Sequence, residues 1–419
     1  MTEEPVVPPP QAPPTPLWRN RDYMLLWSGQ VVSTLGSAIS GIAAPLLILA
    51  ITNSPAAAGL AAALGSLPYL FFSLPAGALV DRWNRKQVMI FCDAGRAVLA
   101  ASIPLAMLFN VLTIWQLYAI ALLDGTLFVF FNIAEVAAMP RVVPKAQLAA
   151  ATAQNQSAFG TAGIVGPPVG GFLYQTFGAA VPFLFDAVSY AGSVISLLFI
   201  KTPFQMERAA TPRNLRVEIM EGLRWLWRQP LIRFMAFLTG GLNFVNAAQG
   251  LIIIILAQQL GADAAQIGLI FTIGSIGAIV GSIIGAPIAK RFSFGQVIIA
   301  TVWFQAVLFP LYAIAPHILI LGLLSALAFI TTPIYNVVQF SHRMALIPDA
   351  LQGRVNSTFR LLAFGFQPLG AALAGVLLEN IGSTSTVLAY GAIIFLLSIV
   401  VTFNTHVRNA QPIEQTSAA

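Results

Sequence analysis

Residues 77–89 read GALVDRWNRKQVM, and they sit between two long apolar runs. Only 9% of the 419 residues are charged, yet Asp81, Arg82, Arg85 and Lys86 fall within one short turn. The flanking runs explain the contrast. The chain is 58% hydrophobic, with a mean hydropathy of +0.82. A soluble domain carries about 25% charged residues and cannot hide so much apolar surface. The solvent implied is lipid. A helix spanning it needs about 20 mostly apolar residues. Twelve segments meet that requirement: 23–51, 56–80, 88–110, 114–138, 147–176, 180–200, 231–259, 264–289, 295–314, 317–341, 352–380 and 384–405. Lipid offers no partner to loose backbone groups, so these segments are expected to be helices. The alternation of a membrane β-barrel is absent.

The net charge of +6 does not point to nucleic acid, because the bases are placed by topology. None of the 21 Lys and Arg residues lies in the six loops that follow the odd-numbered segments. The other loops and the tails hold them. That bias puts both termini in the cytoplasm of a multi-pass inner-membrane protein. The single cysteine, Cys92, leaves no internal disulfide or cysteine metal cluster. Residues 1–22 read as a Pro-rich disordered tail and interfacial anchor, and 406–419 as a second cytoplasmic tail.

The chain repeats itself. An offset of 209 places Gly59-Leu60 on Gly268-Leu269, Gly65-Ser66 on Gly274-Ser275 and Arg82 on Arg291. Further along, an offset of 204 pairs Asn132 with Asn336, Gly166 with Gly370, Gly171 with Gly375 and Gly178 with Gly382. The expected organisation is a six-helix half at 23–200, a hydrophilic linker at 201–230 and a second half at 231–405. Within the linker, Leu215, Ile219, Leu223 and Leu226 share one face of an amphipathic helix suited to the inner leaflet. Two halves that rock about a midplane site are an alternating-access architecture.

The order Gly77-x-x-x-Asp81-Arg82-x-x-Arg85-Lys86, between a second and a third helix, resembles the signature loop of the major facilitator superfamily. Gly166-Pro167-x-x-Gly170-Gly171 in the fifth helix resembles that superfamily's antiporter motif. Asn20-Arg21-Asp22, Asp93-x-x-Arg96, Phe185-Asp186 and Gly353-Arg354-Val355 resemble its bacterial drug, macrolide and enterobactin efflux branch. The resemblance spans nearly all twelve helices. It departs at Gly36-Ser37, where an acid is frequent. It implies an all-α membrane protein, twelve transmembrane helices in two pseudo-symmetric six-helix halves, acting as a proton-coupled exporter of a hydrophobic or amphiphilic small molecule. It implies a monomer with no cofactor, driven by the proton gradient. Same-fold alternatives are an importer, a lysolipid flippase or a non-transporting sensor.

Residue by residue, Gly77 is expected to let helix 2 approach a neighbour. Asp81 is expected to pair with Arg82 or Arg85, or to cap a helix of the other half, as a conformational latch. Acids inside membrane helices are functional candidates by default. Low dielectric favours a neutral carboxyl, so Asp124, Asp186 and Glu135, in that order, are candidate proton carriers. One charge crossing the membrane is worth about 2.3 kcal/mol per 100 mV, enough to drive a cycle. Asp93 is expected to pair with Arg96, three residues on; the alternative to proton carriage for Asp124, Asp186 and Glu135 is a fixed hydrogen-bonded pair with Arg96 or with Arg360, a further buried partner. Gln30, Thr34, Ser37 and Ser40 in helix 1 and Thr239, Asn243, Asn246 and Gln249 in helix 7 share a 4-3-3 spacing and the offset of 209. These stripes are expected to line a shared cavity. No Walker A run and no His/Cys/acid cluster suggests enzymatic or metal chemistry.

Overall fold

The computed structural model describes residues 16–205, 215–348 and 351–410, with the side chains of 215–219 excepted. The remainder of the two tails and residues 206–214 of the linker lie outside it. The described chain is helical throughout. Six helices run through its first part: α1 (Arg21–Thr52), α2 (Pro55–Val80), α3 (Arg85–Leu108), α4 (Ile114–Val142), α5 (Leu148–Phe177) and α6 (Ala180–Phe199). The linker contributes α7 (Leu215–Arg228). Then follow α8 (Pro230–Gln259), α9 (Ala264–Arg291), α10 (Phe294–Leu308) with a 3-10 extension (Phe309–Ile314), α11 (Ile318–Leu346), α12 (Gln352–Gly365), α13 (Gln367–Phe403) and the short α14 (Thr405–Arg408).

Local sequence explains where the helices begin. Asn20, Ser54, Asn84 and Thr113 each accept a hydrogen bond from the backbone N–H three residues on. Asp263 and Ser293 form full capping boxes with Gln266 and Gln296. The ends follow a second rule. Five described residues have positive φ: Asn53, Asn110, Gly178, Gly261 and Gly382. All lie on the face opposite the 81–84 turn, which we call the far face; the face with that turn is the basic face. Left-handed residues close a helix tightly, and Gly and Asn tolerate that conformation best.

Among the described residues, ten helical stretches are long and apolar enough to cross a membrane, against the twelve expected. The difference has two sources. Helix α5 is 30 residues long but carries Gln154, Asn155, Gln156 and Ser157, and is not among the ten. The stretch Gln352–Phe403 is a single span of 52 residues only until Gly382 is considered. Gly382 has φ 78° and ψ 172° inside α13. Gly178, 204 residues earlier, ends α5 with φ 89° and ψ 168°. The same backbone reversal therefore recurs at the same repeat position.

The packing repeats as well. Helix α1 lies against α5 and α6, as α8 lies against α12 and α13. Helix α2 packs on α4 as α9 packs on α11, and α3 on α6 as α10 on α13. The two most extensive contacts between the first six helices and the later ones, α5 with α9 and α2 with α13, are interchanged by the offsets; α2 also touches α12 and α8. The linker helix α7 rests on α12: an added Cβ at Gly222 would lie 2.6 Å from the Arg354 carbonyl oxygen. Its Leu226 is fully buried, and Glu221 pairs with Arg354.

Candidate transport site

Small residues set the helix spacing that positions the polar groups. A Cβ at Gly36 on α1 would fall 2.1 Å from Ser189 Oγ and 2.9 Å from Asp186 Oδ1. Only glycine lets α6 approach so closely. The approach brings Ser40 Oγ to donate to Asp186 Oδ2 at 2.6 Å, and the Ser37 and Tyr190 hydroxyls to share a hydrogen bond at 2.7 Å.

The centre of the first six helices is charged. Arg96 on α3 donates to Asp124 on α4 through Nε at 2.8 Å and Nη2 at 3.3 Å. Its guanidinium also lies 4.3 Å from the Tyr190 ring centroid and 5.4 Å from that of Phe128. Asp93, one turn closer to the basic face, is buried and accepts from Ser193 Oγ at 2.6 Å. Glu135 is buried and accepts from Asn155 Nδ2 at 3.3 Å, and the same amide reaches Gln30 Oε1 at 3.5 Å.

Two expectations change here. Arg96 pairs with Asp124 and not with Asp93. Spacing on one helix makes Asp93 and Arg96 neighbours, but the long arginine arm reaches across to α4 while the short aspartate meets α6. Arg360 is exposed rather than buried, and its partner is the Tyr69 hydroxyl on α2, not a carboxylate. The α12–α2 contact places it at a seam between helices.

The later helices hold a neutral counterpart. A cavity of about 230 Å³ is lined by Thr239, Asn243, Asn246, Gln305, Tyr335 and Asn336, among others. Thr239 and Tyr335 share a hydrogen bond at 2.7 Å, and Asn243 Nδ2 donates to the Ala363 carbonyl at 2.8 Å. Gln305 stands 209 residues after Arg96, and it donates to Thr331 Oγ1 at 2.6 Å where Arg96 holds Asp124. Gln249 turns away from this cavity and donates to the buried Tyr312 hydroxyl at 2.9 Å. In the first-half stripe, Ser37 and Ser40 are engaged with α6, while Gln30 and Thr34 line a small cleft with Trp27 and Asn155. The two stripes therefore do not face one shared space in this conformation. Tyr190, Ser193, Gln305, Tyr335 and Asn336 belong to the site without having been singled out for it. For α6 the signal was present: Asp186, Ser189, Tyr190 and Ser193 recur at helical spacing.

The two motifs separate by role. In the antiporter-type motif, Gly166 and Gly170 face α1, with added Cβ atoms 2.3 Å from Ala38 Cβ and 2.3 Å from the Ile39 oxygen. Gly171 faces α9, at 2.2 Å from the Ala264 oxygen, and Gly268 meets the Pro167 oxygen at 2.3 Å. The repeat mates Gly59 and Gly375 meet each other between α2 and α13. Ser54 Oγ and the Ala56 N–H both donate to Glu379 beside that contact. The far face is thus closed by glycine-mediated contacts between the early and late helices.

In the 77–89 turn, Gly77 meets nothing within 4 Å, so it does not mediate a close approach. Its place near the end of α2 leaves it facing open space, and its carbonyl accepts from Asp81 N–H at 3.1 Å. Arg85 donates to Asp81 Oδ1 at 3.1 Å and to the Ala137 carbonyl at 2.8 Å. Lys86 donates to the Ile200 and Leu198 carbonyls at 2.7 and 3.3 Å. These two bases clasp the last turns of α4 and α6, where the helix dipole favours cations. Arg82 is exposed.

This architecture can be compared with known proteins. The family model described as transmembrane secretion effector matches residues 12–419. The chain belongs to that family. It is a transporter of the major facilitator type, related to the bacterial drug and siderophore efflux branch. The multidrug efflux pump Tap of Mycolicibacterium fortuitum is 28% identical over 404 residues, covering 92% of this chain and 96% of that one. Macrolide efflux protein A of Streptococcus pyogenes is 26% identical, with 91% and 95% covered. The enterobactin exporter EntS of Escherichia coli O9:H4 (strain HS) is 24% identical, with 93% and 94% covered. Among solved structures, a bacterial homologue of the iron transporter ferroportin in an inward-facing state shares the fold at TM-score 0.71 and 16% identity, covering 93% of this chain and 99% of its own. The nucleoside transporter NupG shares it at TM-score 0.71 and 14% identity, covering 94% and 100%. The transporter is therefore a multi-pass, secondary-active protein that moves small molecules by alternating access. Among its described residues, no group of three or more His, Cys, Asp or Glu is placed to hold a metal ion.

Proposed function

We propose that this transporter exports a hydrophobic or amphiphilic small molecule in exchange for protons. The observation that carries the reading is the division of labour in the core. Ionisable groups cluster among α1, α3, α4 and α6, while the cavity beside α8, α10 and α11 is neutral and hydrogen-bonding. Asp124, Asp186 and Glu135 are the candidate proton-coupling residues. Asp81, Arg82, Arg85 and Lys86 form the basic-face latch. The activities that the relatives are named for, efflux of drugs, macrolides and enterobactin, support export. The chain crosses the membrane twelve times in this reading, with α5 a crossing of its own and Gly382 dividing the last span. Residues 23–200 and 231–405 are two rocking halves joined by the 201–230 linker. The protein acts as a monomer in the bacterial inner membrane.

The test is transport into proteoliposomes carrying an imposed pH gradient, with a labelled macrolide as probe. Accumulation should follow the gradient and collapse when a protonophore is added. Transport indifferent to the gradient would remove proton coupling. Topology is checked separately. A reporter fused after Ala419 should read cytoplasmic; a signal from the other side would overturn the orientation.

A further inference from the structure

We infer that Asp93 and Asp186 are a pair of proton-binding carboxyls, one on either side of the Arg96–Asp124 ion pair, with the hydroxyls of α6 between them. The inference deepens the proton-coupled reading and rests on it, but it adds Asp93 to Asp186 and takes the proton-binding role away from Asp124. Four acids, Asp93, Asp124, Glu135 and Asp186, share the interior of the first six helices with one base, Arg96. The base is committed: its bidentate contact is with Asp124.

Asp93 is 1% exposed and Asp186 is 6% exposed. Each has one oxygen held by a serine hydroxyl at 2.6 Å, and each has its other oxygen, Oδ1, buried without a hydrogen-bond partner. An ionised carboxylate offers about four lone-pair sites, and a buried charge is normally paired or fully hydrogen-bonded. One serine apiece does not supply that. A protonated carboxyl has no net charge to desolvate and suits the same surroundings. Asp124 differs on both counts, being bound to a cation and 38% exposed.

The groups around the two acids come from every helix packed on them. Helix α3 contributes Arg96, and α4 contributes Asp124 and Glu135. Helix α6 contributes Ser189, Tyr190 and Ser193. Helix α1 contributes the neutral Gln30, Ser37 and Ser40. No second cation is among them. Along α6, Asp186, Ser189, Tyr190 and Ser193 share one face, over roughly 10 Å of helix. Ser189 Oγ donates to the Asp186 carbonyl at 2.7 Å, Tyr190 bonds Ser37, and Ser193 bonds Asp93. These hydroxyls line the stretch between the Asp186 and Asp93 ends, each bonded to a neighbouring group and not to the next hydroxyl.

The second half is an internal control. At the repeat positions of Asp93, Arg96, Glu135 and Asp186 stand Val302, Gln305, Gln339 and Tyr390, all neutral. The fold is built equally well without charge at these places. Packing alone therefore does not require the acids in the first half.

The test needs no substrate. Infrared spectra of the purified full-length protein in detergent, recorded across a pH titration, resolve the carbonyl stretch of protonated carboxyls. Bands from Asp93 and Asp186 are expected at neutral pH. Asp93→Asn should remove one and Asp186→Asn the other, and Asp124→Asn should remove neither. Ser193→Ala, which keeps every acid, should shift the Asp93 band without deleting it. A neutral-pH spectrum with no protonated carboxyl, or loss of a band in Asp124→Asn with none lost in Asp93→Asn, would overturn the assignment. The outcomes separate from the broader reading: both bands present with gradient-independent transport would leave the protonated pair standing and refute coupling.

Discussion

Arg96→Met is expected to abolish transport and to lower the thermal midpoint, and adding Asp124→Asn is expected to recover the midpoint without recovering transport. The reason lies in what each removal leaves behind. Taking away one partner of a buried ion pair strands the other charge and costs about 3–5 kcal/mol. Asp124 is 38% exposed, which places the effect at or below the lower end of that range. Asparagine at 124 removes the stranded charge, so the double variant loses only the bond and the stacking of Arg96 on Tyr190, whose ring centroid lies 4.3 Å away. The later helices show that such a neutral arrangement is stable: Gln305 and Thr331 hold the equivalent seam with one 2.6 Å hydrogen bond. Transport should stay lost because the positive charge between Asp93 and Asp186 is gone in both variants. The measurement is a double-mutant cycle on melting, followed by intrinsic tryptophan fluorescence, alongside transport. Destabilisation of the double variant equal to the sum of the two single variants would mean that the ion pair does not couple the two residues.

The sequence revealed most where the physics is local or periodic. Apolar runs located the helices, and the repeat offsets paired Gly59 with Gly268 and Gly171 with Gly375, which raises the question of whether the four sit at equivalent contacts. They do, and they join early helices to late ones. The glycine pattern alone could not say which glycines face a neighbour: Gly77 sits in a fitting motif and meets open space, while Gly36 meets Ser189. Charge partners were less legible still. Spacing on α3 makes Asp93 and Arg96 neighbours, but the rotation of α3 against α4 and α6 decides which helix each side chain meets. That rotation depends on tertiary packing, as Gly36 shows for α1 against α6. Arg360 was misplaced for the same reason. The face of the helix it occupies was not available from sequence. The crossing count met a different limit. The sequence reading divides 352–380 from 384–405, while helix length and hydropathy merge Gln352–Phe403 into one candidate span; the backbone breaks at Gly382, the repeat mate of Gly178.

Gly375→Val is expected to hold the transporter open at the far face, and labelling of an engineered cysteine measures it. A Cβ at Gly375 would lie 2.5 Å from the Pro55 carbonyl oxygen and 2.9 Å from Gly59 Cα. Both obstacles are backbone, which cannot rotate aside as a side chain would. Overpacking of this kind typically costs about 1–3 kcal/mol. The cost falls on the conformation in which α2 and α13 touch, so it acts on the balance between states. About 1.4 kcal/mol changes a population tenfold, so exposure of the seam should rise by about fivefold to a hundredfold. With Cys92 replaced by alanine, Ala56→Cys sits at the seam and should react slowly with a membrane-impermeant maleimide. Adding Gly375→Val should speed that reaction within the stated range. Gly160→Ala is the control, because an added Cβ there meets nothing within 4 Å. The repeat sharpens the test. Gly171 meets the Ala264 carbonyl oxygen at 2.2 Å across the equivalent α5–α9 seam. If the two seams close as one gate, Gly171→Val should expose Ala56→Cys on the distant seam as strongly as Gly375→Val does. Once either seam is wedged open, the second wedge should add little. Exposure confined to the wedged seam would mean that the halves flex helix by helix rather than rocking as bodies.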